Sequence, residues 1–282
     1  MNIGVIIQAR MGSTRLKGKI LKSLPINSDI TVLQQVIRRV RASLKVNCII
    51  IATTESAQDN AIVDIAIKEK AKYFRGSEDD VLSRYFFAAK ENNLDIIARI
   101  TSDCPCIDPE TIDYVVEAFI ESDCDYVSNA LERTYPRGLD VEVFSFKALK
   151  KAFDESSKSF DREHVTPYMH MNRNIFKVKN IIAPVKLNNP NIRITVDTYD
   201  DYMLLSAIYD YLYKDNILFK AEEIVSLFES KPWLYLLSMD VVQKTFDSLE
   251  EEINEAKRII SAHHMDRAKE VLSEFLNSIN AK

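Results

Sequence analysis

The chain has 282 residues, 46% hydrophobic and 28% charged, with a formal net charge of −5. That length suits one large domain, or a domain with a small appendage, and the acidic balance excludes a surface built throughout for nucleic acid. No apolar run approaches the ~18 residues of a membrane span, and MNIGVIIQAR lacks a basic start and a cleavage site, so it reads as the first strand of a cytoplasmic protein.

Strand-like and helix-like segments then alternate. Residues 2–8 form an apolar strand ending at Gln8. Over 31–44 the apolar positions Val32, Leu33, Val36, Ile37 and Val40 recur at helical spacing, with Thr31 as cap. VNCIIIAT at 46–53 is a β-branched run suited to a buried parallel strand. A helix follows from about Asp59 to residue 70, another at 79–92, and a strand at 95–100. Pro109 opens a further helix, and 125–128 a short strand. This β-α order predicts an α/β, Rossmann-like, mostly parallel sheet with helices on both faces.

The second half breaks the alternation. Strands are predicted at 139–146, 176–183 and 191–198 without crossover helices, which implies antiparallel additions to the sheet. From 199 onward the chain reads as helices, with two over 246–279 divided near His263 and His264. One carries Leu249, Ile253, Ala256, Ile259 and Ile260 on a face, the other Val271, Leu272, Phe275 and Leu276. They form an expected helical hairpin, an appendage of residues 241–282 on a catalytic domain of 1–240, either docked on that domain or mediating a homodimer.

Chemistry concentrates after the first strand. QARMGSTRLKGK at 8–19 follows it directly, and Arg10 to Lys22 contains five basic residues and no acid. Loops at the carboxyl ends of parallel strands bind ligands in open α/β sheets, and small residues let backbone N–H groups face phosphate oxygens. The segment is neither G-x-x-x-x-G-K-[ST], since Ile20 follows Lys19, nor G-x-G-x-x-G. Phosphate binding and a solvated basic turn both remain open on these grounds. The thiols Cys48, Cys104, Cys106 and Cys124 read as reduced, and the Cys104–Cys106 pair lacks the second pair that zinc requires.

Q-A-R-M-G-S-T-R-L-x-G-K resembles the N-terminal signature of the cytidylyltransferase family, which includes the CMP-sialic acid and CMP-Kdo synthetases, and is most similar to the spore-coat polysaccharide SpsF type. The resemblance continues through FRGSEDDVLSRY (74–85), RITSDCP (99–105), YPRGLDVE (135–142), REHVTPY (162–168) and TVDT (195–198). It covers roughly residues 1–235. Two departures stand out: Lys17 where the family usually has proline, and SDCPC (102–106) where it usually has G-D-x-P-L.

The resemblance implies a GT-A-like fold and an Mg2+-dependent transfer of CMP from CTP to an acidic or phosphorylated sugar, with release of pyrophosphate. Such chemistry rests on positioning and charge neutralisation. The implied catalytic residues are Arg10, Lys19 and Asp103, and the implied metal ligands Asp103 and Asp197. Nucleotide binding falls to Gln8, Ala9, Arg10, Met11, Gly12, Ser13, Arg15, Lys19, Thr53, Arg75, Ser77, Asp79 and Thr101. Acceptor binding falls to Arg137, Asp140, Glu142, Arg162, Glu163 and His164, the arginines as bidentate clamps on an anion. A homodimer with no nucleic-acid partner is expected. Two other readings share these features: a glycosyltransferase using a nucleotide-sugar donor, and an inactive nucleotide-binding module.

Overall fold

The computed structural model describes residues 1–213, 218–238, 253, 256–257, 259–261 and 265–280. Seven strands form one sheet: β1 (Ile3–Gln8), β2 (Cys48–Thr54), β3 (Lys72–Gly76), β4 (Ile96–Thr101), β5 (Tyr126–Ser128), β6 (Glu142–Ser145) and β7 (Val178–Asn180), in the order β3-β2-β1-β4-β6-β5-β7. β1, β2, β3 and β4 pair in parallel, β6 is antiparallel to both β4 and β5, and β7 is parallel to β5. β6 alone therefore runs against the rest.

Side chains of successive strand residues point to opposite faces. Val5 and Ile7 of β1 enter one buried core with α1 (Val32–Arg41), α2 (Asn60–Lys68), α4 (Pro109–Ile120), α8 (Tyr199–Leu212) and α9 (Ala221–Ser230). Ile6 enters the other, with α3 (Val81–Glu91), α5 (Phe146–Glu155) and α7 (Pro167–Met171). The expected doubly covered α/β sheet is present. Thr31 caps α1 in a capping box with Gln34, and Asp108 caps α4 ahead of Pro109.

Several elements differ from the sequence reading. KYFRG forms the edge strand β3, which polar Lys72 and Arg75 concealed. Helices α5, α6 (Ser159–His164) and α7 intervene between β6 and β7, so β7 joins by a crossover and runs parallel to β5. The 191–198 segment stays outside the sheet and makes an isolated bridge of Arg193 to Arg137, a residue that is itself outside the strands. α3 begins at Val81 with Asp80 as its cap, two residues after the expected start. Arg162, Glu163 and His164 end α6.

The chain divides into two compact units, 1–237 and 238–282. The second contains a helix over Asp266–Asn280. Leu249, His263 and His264 of the expected hairpin lie outside the described residues. No described helix is long and apolar enough to cross a membrane. All four cysteines are free thiols.

Candidate active site

The carboxyl ends of β1, β2 and β4 meet where the strand order reverses between β1 and β4, the position at which open α/β sheets hold ligands. The loop after β1 lies there. Ala9 N–H donates to Ala52 O (3.1 Å), and Met11 N–H to Asp59 Oδ1 (2.8 Å). Asp59 is buried and also takes Thr53 Oγ1 and Thr54 N–H (both 3.3 Å), so one carboxylate ties the loop to the end of β2. Gly18 sits at φ 62°, the left-handed conformation glycine adopts freely, and turns the chain into a short 3-10 helix beginning at Lys19.

That turn aims Lys19 inward. Its Nζ donates to Asp103 Oδ2 and Asp197 Oδ1, each at 2.8 Å. Arg15 reaches Asp197 Oδ1 at 3.2 Å. Arg193 donates to Asp197 Oδ2 (2.6 Å) and Asp201 Oδ1 (2.9 Å). Three cations thus face three carboxylates. Val196 N–H donates to Asp103 O (2.9 Å), so backbone as well as charge brings the two aspartates together. Asp201 belongs to the capping box of α8 with Thr198, which leaves Asp197 outside the cap. Burial pushes the Asp103 carboxyl up, but Lys19 outweighs it and holds it below the usual range. Burial likewise opposes the Lys19 charge, and Asp103 and Asp197 reverse that effect. Thr101, at the end of β4, contacts the Cys104 thiol (3.1 Å). Ser102, standing where the resembling family has glycine, is absent from the positive-φ positions and needs no glycine geometry.

The remaining predicted nucleotide residues divide. Arg10 pairs with Glu78 at 3.7 Å, and both line a cavity of about 460 Å3 with Asp79, Asp80, Ser159, Arg162 and Glu163. Gly12 sits beside Glu78, whose Oε1 is 3.5 Å from where a Cβ would stand. Ser13 N–H closes a turn onto Met11 O. Thr53 is buried against Asp59, and Ser77 Oγ accepts from Asp80 N–H. Arg75 spends its guanidinium on Thr54 O, Ser56 O and Asn60 Oδ1, an internal brace of the β2 and β3 ends.

The predicted acceptor residues do not form one cluster. Glu142 is half-buried and saturated: Arg99, Tyr126 Oη and Thr166 Oγ1 all donate to it, and Arg99 also reaches Gln8 Oε1. Asp140 takes a two-pronged bond from Arg133 (2.7 and 3.1 Å). Arg162 pairs with Asp80 and lies over the Phe153 ring, and His164 contacts Phe160. Val165, next in the chain, holds φ 73° in a tight turn that Thr166 N–H closes onto His164 O; a β-branched residue there is strained. Arg137 differs from all of these: among the described residues its guanidinium has no hydrogen bond or ion pair. Burial and then neighbouring Arg133 lower its pKa. Gly138 fixes its place, since at φ 108° a Cβ would come within 2.7 Å of Ile194 O, and the close approach sets Arg137 against Arg193.

Asp59, Arg193 and Asp201 escaped the sequence reading. The four-residue spacing of Arg193, Asp197 and Asp201 was visible, whereas nothing local links Asp59 to Met11. Among the described residues no group of three or more His, Cys, Asp or Glu is placed to hold a metal unaided.

Comparison with known proteins identifies the family and the fold. A family model described as cytidylyltransferase matches residues 4–239. Uncharacterized protein MJ1063 of Methanocaldococcus jannaschii is 39% identical over 251 residues, covering 89% of this chain and all of that protein. Spore coat polysaccharide biosynthesis protein SpsF of Bacillus subtilis is 34% identical over 211 residues, 72% of this chain and 85% of its own length. The structure of a cytidylyltransferase from Leptospira borgpetersenii superposes with a TM-score of 0.78 at 32% identity, covering 87% of this chain and 99% of that one.

Proposed function

The chain belongs to the cytidylyltransferase family, a group of CTP-dependent nucleotidyltransferases, and from that membership we propose that it transfers CMP from CTP to an acidic or phosphorylated sugar, in the cytoplasmic synthesis of a surface polysaccharide. The observation that carries the proposal is Lys19, held between Asp103 and Asp197 at the end of a cationic loop. An acceptor oxygen attacks the α-phosphorus of CTP, the bond to the β-phosphate breaks, and pyrophosphate leaves. Arg10, Arg15 and Lys19 are the charges we assign to the triphosphate, where preorganised cations act on the charge that develops in the transition state.

Asp103 and Asp197 suit Mg2+. Two hard carboxylates converging within 2.8 Å of one Nζ are the kind of partial donor set this ion takes beside substrate phosphates. When bound, it would neutralise phosphate charge. Arg137, half-buried with no protein partner among the described residues, is the side chain best suited to an acceptor carboxylate or phosphate. Arg162 and Glu142 are already engaged by Asp80 and Arg99. A homodimer completes the reading.

A pyrophosphate-release screen of CTP, UTP, ATP and GTP with Mg2+ against acidic and phosphorylated sugars tests it. Release from CTP with one such acceptor is expected. Free nucleotide from a nucleotide-sugar donor, with no pyrophosphate, would replace the proposal with a glycosyltransferase.

A further inference from the structure

Lys19 Nζ rests between Asp103 Oδ2 and Asp197 Oδ1, 2.8 Å from each. A divalent ion bridging the two aspartates would take the same two oxygens. The other two are already engaged: Asp197 Oδ2 accepts from Arg193 at 2.6 Å, and Asp103 Oδ1 from the Cys104 thiol at 3.6 Å. The ammonium and the ion therefore compete for one pair of atoms, and their like charge sharpens the conflict. The lysine head can leave while its backbone stays. Lys19 opens a short 3-10 helix whose next residue, Ile20, is anchored in the core. Its stem is a flexible four-carbon chain ending in a compact ammonium. Arg193 is held by Asp201 as well as Asp197 and is fixed by comparison. The aspartates do not depend on Lys19 to stay together, because Val196 N–H donates to Asp103 O at 2.9 Å.

We propose that Lys19 is an exchangeable stand-in for the divalent ion. It keeps the two carboxylates neutralised, and it yields them only when a polyphosphate draws its ammonium away, so that nucleotide binding opens the metal site. This rests on the function above, which gives Asp103 and Asp197 to Mg2+ and Lys19 to the triphosphate. A triphosphate offers the ammonium several anionic oxygens at once, so the lysine passes from one anionic partner to another and is never left buried and unpaired. The apparent affinity of a site falls with the fraction of molecules in which it is open, so a lysine that leaves the aspartates less than about one-tenth of the time weakens metal binding at least about tenfold. A fixed structural ion pair has a different consequence: Lys19 never leaves, and its removal gains the metal nothing.

Mn2+ binding to the full chain, followed by the electron paramagnetic resonance of the free ion, tests this without turnover. Nucleotide-free wild-type protein is expected to bind Mn2+ at least about tenfold more weakly than K19M and K19Q. R137Q removes a cation that also acts on Asp197. It leaves the open fraction of the site unchanged and should stay within about threefold of wild type. Adding D103N to K19M should abolish the gain, with circular dichroism checking each fold. Equal Mn2+ affinity in wild type and the folded Lys19 variants overturns the proposal. So does an equal gain in R137Q, which would reduce the effect to net charge, or a gain that survives D103N. Micromolar Mn2+ binding by nucleotide-free wild-type protein, lost in D103N alone, overturns it without any Lys19 variant. Each of these outcomes in a protein that binds CTP leaves the function above standing. Wild-type protein that binds no CTP overturns both.

Discussion

Replacing Lys19 by methionine keeps the side-chain length but removes the ammonium on which Asp103 and Asp197 converge. Losing such a charge contact costs about 2.7–4 kcal/mol of barrier, so K19M should release pyrophosphate ~100–1000-fold more slowly while its far-ultraviolet spectrum is unchanged. A loss below tenfold would mean that other groups carry the phosphate charge. Glu142 permits a pH test. Burial pushes its pKa up, but Arg99, Thr166 and Tyr126 outweigh burial and hold it below the usual value. A carboxylate lowered in the folded state contributes stability above its unfolded pKa of ~4.3 and loses it as pH falls through the folded value. E142Q leaves Arg99 buried without its anion, at about 3 kcal/mol near neutral pH. The gap between wild type and E142Q should be full above about pH 5 and shrink steadily as pH falls below the unfolded value towards the lower folded one. Thermal unfolding from pH 3 to 7 measures it, and a gap constant throughout would show that the charge on Glu142 is irrelevant.

The loop after β1 is held as an element through Asp59. D59A leaves Met11 N–H, Thr53 and Thr54 without their shared acceptor, and a buried donor left unsatisfied costs about 1–3 kcal/mol. A lower melting temperature and a raised KM for CTP are expected together; an unchanged KM would mean that the loop holds its shape without the carboxylate. Legibility in the sequence followed periodicity. β1, β2, α1 and α4 were readable because their apolar spacing and caps are local. β3 was hidden because an edge strand with Lys72 and Arg75 has little apolar pattern. The 191–198 segment showed strand alternation, yet it pairs only at Arg193, because the close packing of Gly138 on Ile194 governs its place. The basic loop and the acids opposite it were identifiable by residue type and resemblance. What each acid bonds to was not, since Glu142 with Arg99 and Arg162 with Asp80 are contacts between distant parts of the chain.

At the scale of the whole molecule, the residues first grouped around an acceptor occupy two places. Arg162 and Glu163 line the cavity beside Arg10, whereas Arg137 packs against the segment leading to Asp197. The two arginines should therefore separate in experiment. R137Q is expected to raise the acceptor KM at least tenfold with little change for CTP, the loss of a charge-assisted bond. R162Q, which frees the Asp80 cap of α3, is expected to lower the melting temperature instead. Equal effects of R137Q on both substrates would count against its assignment. The reversed direction of β6 has a bearing on such diversity. Because that strand enters the sheet at the rim where its neighbours leave it, the stretch from Arg133 to Val141 lies on the same shore as the ends of β1 and β4. Had β6 run with the others, that stretch would have landed on the far edge. A single inverted strand thus lends the rim an incoming segment beside the outgoing loops, which is where, under the proposed function, an acceptor would meet the nucleotide.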